Sequence, residues 1–301
     1  MNVVAIGVAF LALWTAPASA AEPKFTTVPG HGGLPLNVVE TGRPDGPAIL
    51  FIHGMAMSYL SFRPQLESEL AQDFRLVAFD LRGHGNSGKP WRPEDVQPAD
   101  IWADDVAAVI AAMKLDRPVV VGWSYGGFVA ADYIRKYGTA GIAGLNLVGS
   151  IAGLVPQPPP VGNMTPEEMK RRAALQTSGN IKDNVAVVEA TVKIFEFPGM
   201  TPEARDEMRT MGLMLPAYVR RAFAGRNLDH QDVTPKLRGF PVLVTMGSND
   251  IAQSPEAYVR LKIALPAATF SEYEDTGHLP FAQHSARFNG ELATFVRAAR
   301  R

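Results

Sequence analysis

The chain contains no cysteine. Disulfides and a lipid-bearing N-terminal cysteine are therefore both excluded. It has no surplus of either charge, with 29 Lys and Arg against 30 Asp and Glu and a net charge of −1. With no basic excess and no long basic run, nucleic acid and anionic membrane are not expected as main partners. The apolar run Val3 to Trp14 is too short to span a bilayer comfortably. What remains is an ordinary globular composition. The 301 residues, 47% hydrophobic and 20% charged, suffice for one large α/β domain with an insertion.

The same apolar run, followed by Ala16-Pro17-Ala18-Ser19-Ala20, reads as a secretory signal with an A-x-A site before Ala21. Residues 1–20 are thus expected to be a signal peptide and the protein to be exported, periplasmic or secreted. Met1-Asn2 departs from the pattern, because it carries no Lys or Arg. An uncleaved anchor is the competing reading.

Continuous apolar runs at Ala48–Ile52, Leu76–Phe79, Pro118–Val121, Gly144–Val148 and Pro241–Met246 suit parallel strands covered on both faces. Leu36–Glu40 alternates like an early antiparallel strand, and Thr269–Tyr273 alternates and is read as the last strand. Helical patterns lie between them at Phe62–Ala71, Ile101–Met113, Phe128–Tyr137, Pro255–Leu265 and Phe288–Ala299. This alternation predicts an α/β fold with a mostly parallel, doubly covered sheet. It stops after Ser150. Pro156 and Pro158 to Pro160 mark an exit, and Thr165-Pro166 and Thr201-Pro202 then mark helix starts. Four helices are expected between about Thr165 and Arg226. The division is a core of residues 21–150 and 236–301, with a helical insertion over 151–235.

Gly122-Trp123-Ser124-Tyr125-Gly126 is a G-x-S-x-G pentapeptide between an apolar strand and a helical run. That context allows a strained turn that raises the Ser124 hydroxyl out of the sheet as a nucleophile. A helix starting after Ser124 aims backbone N–H groups at a developing oxyanion. A carboxylate in Gly247-Ser248-Asn249-Asp250 follows the Val242–Met246 strand, at the sheet edge where such folds place their sites. Asp250 is the expected acid; an Asp that merely caps the Pro255 helix is its competitor. Asp275 stands too close to His278 along the chain to orient it readily.

With these segments, Phe51-Ile52-His53-Gly54-Met55, Asp80 to Ser87 and Gly277-His278-Leu279-Pro280-Phe281, the chain resembles the α/β-hydrolase fold family from about Phe25 onward. The resemblance implies that His278, in the loop after the last strand, is the base. It also implies oxyanion donors at the backbone N–H of Tyr125 and Met55, and a helical cap over the site. His53 is read as a structural brace of its loop. Asp80 and Arg82 are expected to satisfy loop amides. Asp80 and His84 lack further clustered ligands, so neither a metal nor a cofactor is expected. Trp123 is read as sheet-facing core, and Arg220-Arg221 as a solvated helix face with an anionic-substrate role as the alternative. Most of the Met and Phe residues of the insertion, Phe195, Met208, Met211 and Phe223 among them, are expected to pack its helices together, with some facing Ser124.

A serine nucleophile argues against the carboxylate-dependent haloalkane dehalogenases and epoxide hydrolases of the same fold. The expected activity is cofactor-free hydrolysis of a small, mostly apolar ester through an acyl-enzyme. Perhydrolysis of the non-haem chloroperoxidase type, carbon–carbon bond hydrolysis and a ligand receptor on a hydrolase scaffold are the alternatives. A small-molecule substrate is the only partner expected, and the oligomeric state is left open.

Overall fold

A computed structural model describes residues 22–156 and 166–301. The expected signal segment, Pro158 to Pro160, Met164 and the Thr165 cap lie outside the described residues. Eight strands form one sheet: β1 (Lys24–Pro29), β2 (Pro35–Gly42), β3 (Ala48–Ile52), β4 (Arg75–Phe79), β5 (Val119–Trp123), β6 (Gly144–Val148), β7 (Val242–Gly247) and β8 (Thr269–Tyr273). Their order is β1-β2-β4-β3-β5-β6-β7-β8. β1 and β2 pair antiparallel, as do β2 and β4, and every other pairing is parallel. The apolar runs explain the centre of the sheet. In β3, Leu50 and Ile52 enter one core layer while Ile49 and Phe51 enter the other, the period-two alternation of a strand covered on both faces.

Helices cover both faces. α1 (Arg63–Leu66) and α2 (Leu70–Asp73) are two short pieces where the sequence pattern predicts one helix. Ser68 causes the interruption: its hydroxyl donates to the Gln65 carbonyl at 2.7 Å and accepts from Leu70 N–H at 3.2 Å. These bonds compete with the helical ladder. α3 (Ala99–Ala112) and α4 (Tyr125–Tyr137) pack together on one face. α4 starts three residues before the expected Phe128, because two glycines continue the turn at Ser124 directly into helix.

Between β6 and β7 come α5 (Pro166–Thr177), α6 (Ile181–Phe195), α7 (Pro202–Leu213), α8 (Ala217–Ala222) and α9 (Thr234–Leu237). Thr201 caps α7 by accepting from Ala204 N–H at 3.2 Å, with Pro202 beginning the helix. α10 (Pro255–Ala264) then precedes β8, and α11 (Pro280–Gln283) and α12 (Ser285–Ala299) complete the chain. The inserted helices reach both core layers. Leu215, Val219 and Phe223 join the cluster that holds Trp102 and Tyr125. Val188, Val192, Met208 and Met211 join the cluster that holds Phe62, Trp123 and Phe281.

Arg220 corrects one expectation. It is only 6% exposed, and its Nε donates to the Gln176 carbonyl at 3.1 Å. α8 is short and wedged between α5 and the core, so two adjacent faces of it are covered and the guanidinium is not solvated. Burial pulls this guanidinium below its ordinary range.

Candidate active site

Ser124 stands in the turn between β5 and α4 with φ 52° and ψ −115°. This is a left-handed conformation that a non-glycine residue adopts only when its surroundings impose it. Two main-chain bonds hold the turn: Ser124 N–H donates to Val148 O at 2.9 Å, and Gly127 N–H donates to Ser124 O at 3.0 Å. Any β-carbon at Gly126 would lie 2.0 Å from Ile52 O, so only glycine lets α4 approach β3 this closely. Trp123 is fully buried beside the turn, and its indole N–H donates to His278 O at 3.0 Å.

Asp250 and His278 meet from the loops after β7 and β8. His278 Nδ1 lies 2.8 Å from Asp250 Oδ2, and both side chains are about 1% exposed. The carboxylate can only accept here, so the proton sits on Nδ1 and Nε2 is left to act. Asp250 Oδ1 accepts from Ala252 N–H at 2.8 Å, which fixes the carboxylate plane. It does not cap α10; the Ser254 hydroxyl does. Gly149, after β6, leaves space for this pair: a β-carbon there would lie 3.0 Å from His278 Nδ1. Ser124, Asp250 and His278 therefore all stand at the C-terminal edge of the sheet, after β5, β7 and β8. Among the described residues no hydrogen bond joins Ser124 Oγ to His278. Such contacts are commonly long until substrate is bound.

The loop His53-Gly54-Met55 runs beside Ser124. A β-carbon on Gly54 would lie 3.2 Å from Ser124 Cβ. Met55 N–H and Tyr125 N–H donate to no protein acceptor among the described residues. Asp80 accepts from Tyr59 and Asn86 N–H, as expected of a loop brace. Arg82, which has only donors, satisfies the carbonyl side of loop amides at Asp95 and His31. It also forms a buried two-bond pair with Asp105. Burial keeps the two loop histidines neutral, holding His53 at about 4 and His84 at about 3. Among the described residues no group of three or more His, Cys, Asp or Glu is placed to hold a metal ion.

Sequence reasoning missed two features. Phe195, at the end of α6, stacks on the His278 ring with centroids 5.2 Å apart. It also lies 5.5 Å from Trp123. Its place depends on how the insertion folds back, for which the sequence carries no local signal. Arg226 follows α8 and forms a buried ion pair with Asp132 of α4. It also donates to the Tyr125 hydroxyl and lies 4.5 Å from the centre of the Trp102 ring. His230 Nε2 binds the second Asp132 oxygen at 2.7 Å. An Asp inside the apolar run Ala130-Ala131-Asp132-Tyr133 was the available clue.

A cavity of about 400 Å³ lies between α7 and the core. Its walls include Met57, Trp123, Met208, Met211 and Leu279, the immediate chain neighbours of Ser124 and His278 among them. The ion pair of Arg63 and Glu207, 2.5 Å apart, joins the same walls. A larger hollow of about 590 Å³ between α2 and α12 touches none of the candidate site residues.

Residues 49–291 match the model of a family described as the alpha/beta hydrolase family. A putative aryl esterase from Burkholderia cenocepacia shares 30% identity and a TM-score of 0.82, over 92% of this chain and 99% of that one. The esterase RhEst1 from a Rhodococcus species shares 26% identity and a TM-score of 0.78, over 91% and 99% of the two chains. A non-heme chloroperoxidase from Streptomyces lividans is 26% identical over 90% of this chain and 99% of its own. With a matching architecture and a family match over most of its length, this chain is an enzyme that belongs to the alpha/beta hydrolase family.

Proposed function

We propose that the protein is a cofactor-free serine esterase acting on small, mostly apolar esters. The observation that carries this reading is the buried 2.8 Å Asp250–His278 pair, set beside a serine held in a strained turn. In the first step Ser124 Oγ bonds to the ester carbonyl carbon while its proton passes to His278 Nε2. The former carbonyl oxygen becomes an oxyanion facing the Met55 and Tyr125 N–H groups. Collapse breaks the bond to the alkoxy oxygen, which leaves with the proton from His278. Water then attacks the acyl-enzyme by the same route and releases the acid. Asp250 holds the imidazole tautomer and stabilises the imidazolium. The esterase neighbours support this choice of reaction.

In this reading α5 to α8 form a cap, and the apolar cavity beside Trp123 and Leu279 receives the hydrocarbon part of the substrate. The N-terminal segment directs export. A second activity is favoured by the similarity to a non-heme chloroperoxidase. Hydrogen peroxide replaces water at the acyl-enzyme and yields a peracid. The deciding experiment labels the protein with a fluorophosphonate and locates the adduct, then measures hydrolysis of p-nitrophenyl esters of increasing acyl length. Wild type should be labelled at Ser124 and hydrolyse some of the panel. Absence of both would refute the reading.

A further inference from the structure

Resting on the serine-esterase reading, we propose that His53 is a positioning residue of the oxyanion site, setting the orientation of the Gly54–Met55 peptide. His53 is fully buried between two backbone groups. Its Nδ1 lies 2.7 Å from Gly54 O, and its Nε2 lies 3.0 Å from Leu81 N. A carbonyl can only accept and an amide N–H can only donate, so the tautomer follows: Nδ1–H donates to Gly54 O, and Nε2 accepts from Leu81 N–H. Burial, by holding this imidazole neutral, preserves that one arrangement.

The consequence comes from peptide geometry. The described chain has no cis peptide bond. In a trans peptide the carbonyl oxygen and the next N–H point in opposite directions. With Gly54 O turned to His53, the Met55 N–H must point away from His53. Met57 N–H also donates to Gly54 O, at 3.3 Å, closing a turn in which Ala56 takes φ 60°. The Met55 N–H has no protein acceptor among the described residues, and its loop passes beside Ser124. Gly54 itself has no side chain to resist rotation of this peptide. Rotated, the same peptide would offer a carbonyl oxygen to a developing negative charge and repel it.

Two variants separate the two hydrogen bonds of His53. In His53→Asn the amide nitrogen takes the place of Nδ1, keeping the donor to Gly54 O and losing the acceptor for Leu81. In His53→Gln the amide oxygen takes the place of Nε2, keeping the Leu81 bond and losing the Gly54 bond. Losing one oxyanion donor typically costs about 100-fold or more in kcat. His53→Gln is therefore expected to lose roughly 100-fold in kcat, with KM within about threefold and a parallel loss in the rate of fluorophosphonate labelling. His53→Asn should recover kcat to within about tenfold of wild type, even if it melts lower. A bracing role alone would track melting temperature instead. Folded His53→Gln with wild-type kcat overturns the proposal, and so does folded His53→Asn that has lost as much kcat as His53→Gln. If His53→Gln does not fold, a 100-fold loss in folded His53→Asn overturns it, and recovery there supports it. Wild-type protein is assayed alongside: absence of its own labelling at Ser124 and of its ester hydrolysis refutes the esterase reading rather than this one.

Discussion

Phe195 lies nearly parallel to His278, the two rings tilted by 20° at a centroid distance of 5.2 Å. A residue of the insertion thus covers the imidazole proposed as the base. The ring shields it from water and also packs against Trp123, with centroids 5.5 Å apart. Phe195→Ala should raise KM for apolar esters and shift the preferred acyl length, with labelling of Ser124 still detectable. Met211→Ala, in the cavity wall, should favour longer chains, since each further buried methylene can contribute up to about 0.8 kcal/mol. Chain-length profiles beside melting temperatures test both. Unchanged profiles in folded variants would mean that the core loops alone shape the pocket.

Ser124→Ala should abolish ester hydrolysis and labelling while leaving the fold intact, because only a half-buried hydroxyl is lost. Residual activity within tenfold of wild type would remove Ser124 from the mechanism. Asp250→Asn should lower kcat by a factor on the order of 10⁴, since an amide favours the wrong His278 tautomer. If Asp275→Asn is severe instead, the acid is elsewhere.

Stability should fall as pH drops below 6.5. Burial holds His53 at about 4 and His84 at about 3 in the folded protein, while unfolding returns both toward 6.5. Between those values the unfolded chain binds more protons, so protonation favours unfolding. For His53 the effect approaches a few kcal/mol, on the order of 3, by pH 4. Urea midpoints from pH 7.5 to 4.5 measure the slope. His84→Asn, which keeps a donor toward Arg82 O but cannot titrate, should flatten it.

Arg226→Met should destabilise strongly, by about 3–5 kcal/mol, because the Asp132 carboxylate would stay buried with its guanidinium partner gone. The double variant Arg226→Met with Asp132→Leu should recover part of that loss. Additive losses across the cycle, read from denaturant midpoints, would show that the two groups do not depend on each other.

Protein exported by a Gram-negative host should begin near Ala21. Intact-mass analysis of the periplasmic fraction checks this, and a periplasmic form still carrying Met1 would favour an anchor.

Much of the sheet is legible in the sequence because β3 to β7 are buried on both faces and therefore mostly apolar, with Arg75, Asn146 and Thr245 as the polar exceptions. β1 was not, since Lys24-Phe25-Thr26-Thr27-Val28-Pro29 lies at the edge and buries only Val28. Ser124 and Asp250 could be named as candidates because each follows an apolar strand at the C-terminal edge of the sheet, and His278 because the resemblance to the α/β-hydrolase family implies a base in the loop after the last strand. Phe195 and Arg226 could not be assigned their contacts. Both act across long stretches of sequence, and their positions depend on how the insertion settles over the edge. Arg220 misled for a related reason: paired arginines usually signal solvent, but α8 is covered on two sides.

The buried pair of Arg226 and Asp132 sets a limit on recombining this enzyme with its relatives. Cutting at the natural-looking junctions near 150 and 236 would exchange Arg226 and His230 while leaving Asp132 behind. The core of this chain would keep a lone carboxylate in its interior, about two turns along the helix that starts beside Ser124. A chimera that transfers Asp132 and Tyr125 together with the insertion keeps the charge matched. The transferable unit is therefore discontinuous in sequence, and a library built on contiguous exchange would discard folded enzymes for a reason unrelated to substrate.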